Sequence, residues 1–173
     1  MVSPSVLDER VENVFIASVG VKSDTNLPLR EIAAYVDLLA GDDYSRIVFL
    51  SFREGRAGQA GDYEMLLVTD RFFTVQAFGR EDNEQAEFYT TGEIIPLRSI
   101  GKLAFGHDSG ARWNVMGYVE SLSPQIDFTG GVQPVSVGGE SGFPIVTHSE
   151  DVSVESIREE LLTVLLNAYA PRE

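Results

Sequence analysis

Two segments of the chain have apolar residues spaced three and four positions apart. In residues 27–41 these are Leu29, Ile32, Ala33, Val36, Leu39 and Ala40, a pattern typical of an amphipathic helix. Pro28 suits the first helical turn and Gly41 suits the end. After Ser153, a suitable N-cap, a wider apolar stripe includes Ile157, Leu161, Leu165 and Ala168. Its width predicts a terminal helix that covers a sheet.

The N-terminal segment is ambiguous. Residues 5–19 have apolar side chains at helical spacing, and Pro4 suits a first helical turn. Residues 14–21 also suit a strand, so both interpretations stay open at this point.

Short runs rich in β-branched and aromatic residues fill the middle of the chain. They predict strands at 46–52, 63–69, 72–78, 88–97, 100–105, 113–122 and 126–128. A hairpin loop is expected at 106–110, where 113–122 would pair back onto 100–105. Residues 130–149 are rich in glycine, proline and small polar residues, which predicts a loop with at most one edge strand, limited by Pro134.

This order predicts an α+β fold. We expect a curled antiparallel sheet of about six or seven strands, closed into a barrel and capped by the C-terminal amphipathic helix. Residues 1–26 would form an N-terminal helical extension, and residues 27–173 the barrel domain with its C-terminal helix.

The charge balance excludes several classes of function. The 173-residue chain has 27 acidic and 13 basic residues, a net charge of -14. Such a surface repels phosphate backbones and anionic membranes, so we expect no nucleic-acid partner and no membrane partner. The absence of cysteine excludes disulfides, thiolate metal sites and cysteine nucleophiles. No secretory signal or apolar run of about 20 residues is present, and a cytoplasmic protein is expected.

Two segments carry a resemblance to a known family. Residues 66–75 read LLVTDRFFTV, an apolar strand that ends in Thr-Asp and resumes after a basic residue, and residues 94–103 read IIPLRSIGKL. Both resemble the bacterial pleckstrin-homology-like (PH-like) domain family. The resemblance covers about residues 27–128, and it implies a barrel capped by a helix. Many bacterial PH-like domains are interaction modules, and the fold does not fix a chemistry.

Four residues are ligand-binding candidates. Arg53 and Arg56 are predicted to lie in the first hairpin loop, residues 53–61. Lipid-binding PH domains hold phosphoinositide headgroups at that loop, although here Glu54 lies between the two arginines. His107 is followed by Asp108 and Ser109, but adjacent residues in a turn cannot form a catalytic triad. Arg112 precedes the single tryptophan. Neither histidine has the spacing of a metal site, so we expect no metal, no cofactor and no catalytic residues.

The function expected from these features is a non-catalytic protein-interaction module. The alternative is an acidic dimeric chaperone or adaptor that resembles secretion chaperones. The terminal helix has apolar residues over most of its circumference. Together with Val6, Val11 and Phe15 of the N-terminal segment, this excess favours a protein partner or self-association, with a homodimer as one form of the latter. The protein is not expected to be an enzyme.

Overall fold

The computed structural model describes residues 4–20, 29–40, 47–55, 63–80, 88–107, 122–128, 135–138, 142–147 and 149–169. Among these residues there are three α-helices: α1 (Pro4–Val19), α2 (Leu29–Ala40) and α3 (Val154–Tyr169). The first segment is therefore a helix, and it ends at Gly20, whose positive φ of 82° suits glycine. The predicted cap of α3 is confirmed, because the Ser156 N–H donates to Ser153 Oγ over 3.1 Å.

A four-stranded antiparallel sheet, the first sheet, follows α2. Its strands are β1 (Ile47–Glu54), β2 (Tyr63–Thr69), β3 (Phe72–Arg80) and β4 (Phe88–Pro96), in the spatial order of the sequence. Each strand pairs antiparallel with the next. Sequence analysis places all four within about two residues of these bounds.

A three-stranded antiparallel sheet, the second sheet, comes next. A 3-10 turn (Leu97–Ser99) leads into β5 (Ile100–His107), which pairs with β6 (Leu122–Phe128), and β6 pairs with β7 (Val135–Ser136). The described partner of β5 is 122–128, of which only Leu122 belongs to the predicted partner 113–122. Pro124 lies within β6, and the described residues of β7 pair with Gln125 and Ile126, so the missing N–H of Pro124 is tolerated there.

The structure places His107 in a different element from the one predicted. It is the last residue of β5, opposite Leu122, and not part of a five-residue hairpin loop at 106–110. The predicted strand at 113–121 lies outside the described residues.

Two hydrophobic cores cover opposite faces of the first sheet. Alternation along β2 divides its side chains, because Met65 and Leu67 face one core while Leu66 and Val68 face the other. The first core lies under α1 and α2. The second core lies between the first sheet, the second sheet and α3, and includes Ile100, Ile126 and Leu161.

The core residues expected from the sequence agree with this division. Those that are buried in the second core are Leu66, Val68, Leu97, Ile100, Ile157, Leu161 and Leu165. Phe72, Val75, Ile95 and Leu103, which the sequence also places in the core, are only partly buried, and the burial of Phe105, the remaining expected member, lies outside the described features. The α+β class, the antiparallel pairing and the packing of the C-terminal helix on the sheets are thus confirmed. No strand pair among the described residues joins the two sheets into a closed barrel.

Helix α1 belongs to the first core. Val11, Val14 and Phe15 are buried there, and the Phe15 ring makes edge contacts with Phe52 and Tyr63 at centroid distances of 5.3 and 5.2 Å. The predicted N-terminal extension therefore supplies part of the packing on β1 and β2. In the part of the chain that the structure describes, no helix combines the length and the apolar character needed to cross a membrane.

Helix α1 also protects the edge strand β1. The Phe52 N–H donates to Ser18 Oγ over 3.2 Å, and Phe52 is fully buried. An edge strand needs such partners, since an unpaired buried N–H is costly.

We expect Ser18→Ala to lower the free energy of unfolding by about 1 kcal/mol, because the Phe52 N–H loses its acceptor. Urea denaturation measures this difference. Ser156→Ala is the control, since that side chain is exposed on α3 and surface changes of this kind usually stay within about 0.5 kcal/mol. Equal losses in the two variants would contradict the role of Ser18.

Candidate functional site

The candidate Arg53 lies on β1, not in the hairpin loop where the sequence predicts it, and it is engaged within the fold. Its Nε donates to Glu64 Oε2 over 2.6 Å on the neighbouring strand. Its guanidinium carbon lies 4.1 Å from the centroid of the Phe143 ring, a cation–π distance. Arg53 thus has a packing role, and its ligand-binding role stays a prediction.

The structure does not bring the other candidates together with Arg53. Arg56 and Arg112 lie outside the described residues. His107 lies at the end of β5 in the second sheet, whereas Arg53 lies on β1 in the first. The position of the His107 side chain is not among the described features.

Residues 142–147 form a strap across the edge of the first sheet. Ile145 packs on the second core and Val146 on the first, which places the strap across β1, the edge strand between the two faces. The Ser51 hydroxyl donates to the Pro144 carbonyl oxygen over 2.6 Å. Part of the glycine-rich segment that the sequence predicts as loop is therefore packed structure.

Phe143 holds the strap in place. Its ring is fully buried in the second core. Its N–H donates to the Ser136 carbonyl oxygen over 2.9 Å, and its own carbonyl accepts from the Gly138 N–H over 2.7 Å. Gly142 is required next to it, because a Cβ there would collide with the Gly138 carbonyl oxygen.

A cleft of about 520 Å³ lies at the C-terminal end of α3. It is bounded by the turn between β2 and β3, by the 3-10 turn and by one face of the helix. Its polar and charged lining residues are Asp70, Arg71, Arg98 and Asn167. Its apolar lining residues are Pro96, Leu97, Val164 and Ala168. The volume is within the range of about 300–1,000 Å³ that is usual for ligand pockets.

Backbone hydrogen bonds fix the two turns of this cleft against each other. The Leu97 N–H donates to the Arg71 carbonyl oxygen over 3.0 Å. Within the first turn, the Thr69 hydroxyl oxygen accepts from the N–H groups of Arg71 and Phe72, each over 3.2 Å. Arg71 and Arg98 are consequently held on adjacent, rigid turns.

Both arginines are available to solvent. Arg71 and Arg98 are exposed, as is Asp70. Among the residues that the structure describes, neither guanidinium has a carboxylate within ion-pairing distance of 4 Å. In the same part of the chain, no three histidine or carboxylate side chains are grouped so that they could hold a metal ion.

Sequence reasoning missed this site as a unit. Its charged residues come from the segments 66–75 and 94–103, and each segment has a basic residue directly at its turn. That shared feature is the signal that could have indicated Arg71 and Arg98. Val164, Asn167 and Ala168 carry no such signal, because their contribution depends on how α3 docks.

The comparisons with known proteins return nothing for this chain: no protein-family model, no curated protein and no solved structure matches it.

Proposed function

We propose that this chain is a non-catalytic protein-interaction module with a PH-like barrel architecture. In support, the strands form sheets of four and three in chain order, and the C-terminal helix packs on both. The second core fills the space between the sheets, as the interior of a small barrel would. The proposed barrel has α3 covering one end, and the two motif-like segments meet at that end.

The observation that carries the interaction role is the cleft beside α3. Exposed arginine, aspartate and asparagine side chains surround an apolar floor, and a polar rim around an apolar centre is typical of a binding site. Its charged groups are open to solvent. Catalytic groups, in contrast, are usually desolvated and placed against a specific charged partner.

Affinity capture with a cleft-blocking variant tests this function. Asn167→Trp places a large side chain at an exposed position of the cleft, and Ser156→Trp places the same side chain at an exposed position near the other end of α3. The immobilised wild-type chain and both variants would be exposed to a lysate of the source organism. Circular dichroism and melting temperature confirm that the variants fold.

We expect at least one protein that the wild type and Ser156→Trp retain equally and that Asn167→Trp retains about ten-fold less. The reason is steric, because the indole fills the space that a partner side chain occupies. Capture that is indifferent to Asn167→Trp, or no specific capture at all, would contradict the proposed function.

A second candidate function is the acidic dimeric chaperone or adaptor. One observation favours it: Leu166 and Tyr169 are 50% and 45% exposed on α3. At about 100° per residue along the helix, both lie roughly opposite the face of Val164, Asn167 and Ala168 that lines the cleft. If these side chains hold a dimer, Leu166→Ser converts it to a monomer in light scattering while Asn167→Trp does not.

A further inference from the structure

The cleft has a local charge opposite to that of the whole chain. Its rim carries two exposed guanidiniums and one exposed carboxylate, whereas the net charge of the chain is -14. Only 13 residues of the chain are basic, so two at one cleft stand out against the acidic surface. Arginine at such a position suits carboxylate, because its planar fork matches the two oxygens.

The backbone holds the two arginines on neighbouring turns that line the same cleft. The hydrogen bond from Leu97 N–H to the Arg71 carbonyl joins their turns, so Arg71 and Arg98 project from neighbouring backbone positions. Neither has a carboxylate partner at ion-pairing distance among the described residues. A ligand carboxylate would therefore meet cations that are not already paired within that part of the fold.

The floor of the cleft accepts an apolar group. Leu97 is buried at its base, while Val164 and Ala168 stand one turn apart on α3 and are partly buried. Ala168 is the smallest of these side chains, and its size leaves space above it. An apolar side chain of about leucine size that covers this floor removes further apolar surface from water.

The C-terminal end of α3 limits the choice of ligand. The cleft lies at the C-terminal end of the helix, where the carbonyl groups carry partial negative charge. A bare anion gains nothing from that end, so the attraction comes from the two arginines alone. The apolar floor and Asn167 then favour a peptide, which brings a carboxylate, an apolar side chain and backbone amides together.

We infer that the cleft binds an extended peptide segment in which an apolar residue is flanked by glutamate or aspartate. In this arrangement the flanking carboxylates pair with Arg71 and Arg98, and the apolar residue lies on Leu97, Val164 and Ala168. The inference rests on the proposed function and adds the chemistry of the partner segment. An anionic membrane is a poorer occupant, because the whole acidic surface would be pressed against it.

Selection from a peptide-display library on the immobilised wild-type chain tests this chemistry directly. Two charge-reversal variants provide the comparison, Arg98→Glu in the cleft and Lys102→Glu outside it. Lys102 is also exposed and lies four residues along the chain, so both variants change the net charge by the same amount. The peptides most enriched by the wild type are then synthesised and titrated by fluorescence anisotropy.

We expect the wild type and Lys102→Glu to enrich the same acidic and apolar sequences. Arg98→Glu should weaken the enriched peptide about five- to ten-fold, since a favourable contact becomes a repulsive one. Arg98→Lys should restore part of the affinity, because it keeps the charge and loses the fork. Lys102→Glu should change the affinity less than about two-fold.

The dependence on salt gives an independent readout. An acidic peptide is repelled at long range by the net charge of -14, and salt screens that repulsion more than it screens the contact pairs. Its affinity should therefore not fall between about 20 and 150 mM salt. A basic peptide held by the acidic surface would lose affinity over the same range.

Several results would overturn the inference. These are enrichment of basic peptides, no enrichment, equal weakening by Arg98→Glu and Lys102→Glu, or sedimentation with anionic vesicles that depends on Arg98. The proposed interaction function is tested separately, by the capture experiment with Asn167→Trp. If that capture succeeds while the selection fails, only the stated chemistry of the partner is wrong.

Discussion

Replacing Phe143 by alanine is expected to lower the free energy of unfolding by about 3–5 kcal/mol. The ring is fully buried in the second core and lies under the Arg53 guanidinium. Its loss leaves a cavity and removes the side chain that holds the strap. Urea denaturation followed by tryptophan fluorescence and circular dichroism measures the change in the midpoint and in the slope.

Two companion variants separate the contributions of the ring. Phe143→Leu keeps most of the buried volume, so we expect a smaller loss of about 1–2 kcal/mol. Arg53→Met removes the cation–π contact and the ion pair with Glu64 but keeps a long side chain, and we expect a loss of about 1 kcal/mol. A loss below about 1 kcal/mol for Phe143→Ala would show that the strap does not contribute to the core.

The sequence does not reveal Phe143, and the reason is physical. It lies in a segment of glycine, proline and small polar residues without helical or alternating period. Its burial in the second core involves members that are distant along the chain, such as Phe49 and Leu66, and Arg53 of β1 lies over its ring. A short apolar run such as 143–146 in a loop cannot be assigned to a core until the elements around it are placed.

The regular elements were more accessible to prediction. Helix α2 and strands β1 to β3 each have a complete local pattern, with an apolar period and a turn or cap at the ends. Strand β6 lacks a complete local pattern, because Pro124 interrupts its apolar residues. The segment that precedes it in the sequence, 113–122, has a stronger strand pattern. The sequence therefore predicts only residues 126–128 as this strand, whereas residues 122–128 pair with β5.

The structure buries part of the apolar surface that was expected to favour self-association. Val11 and Phe15 of α1 are buried in the first core, and Leu162 of α3 is only 9% exposed. Leu166 and Tyr169 remain exposed on α3, and they are too few to require a partner by themselves. Self-association stays a prediction, and it depends on this small surface.

The cleft illustrates a different limit of sequence reasoning. Asp70 and Arg71 belong to one turn, Arg98 to another, and Asn167 to the terminal helix. Each is an ordinary exposed residue in its local context. They form a candidate site only together, because the docking of α3 against the two turns brings them around one concave surface with charged, polar and apolar parts.

A pair of adjacent leucines on α3 tests that docking. Leu165→Ala is expected to lower the free energy of unfolding by about 2–5 kcal/mol, since Leu165 is fully buried in the second core. Leu166→Ala is the matched control, and at 50% exposure we expect a loss below about 0.5 kcal/mol. Val164 and Ala168, which line the cleft, lie on either side of Leu165 along the helix, so Leu165→Ala should also weaken any ligand of the cleft under conditions where the chain remains folded. Similar losses of stability in the two variants would mean that α3 does not dock through the face that forms the cleft.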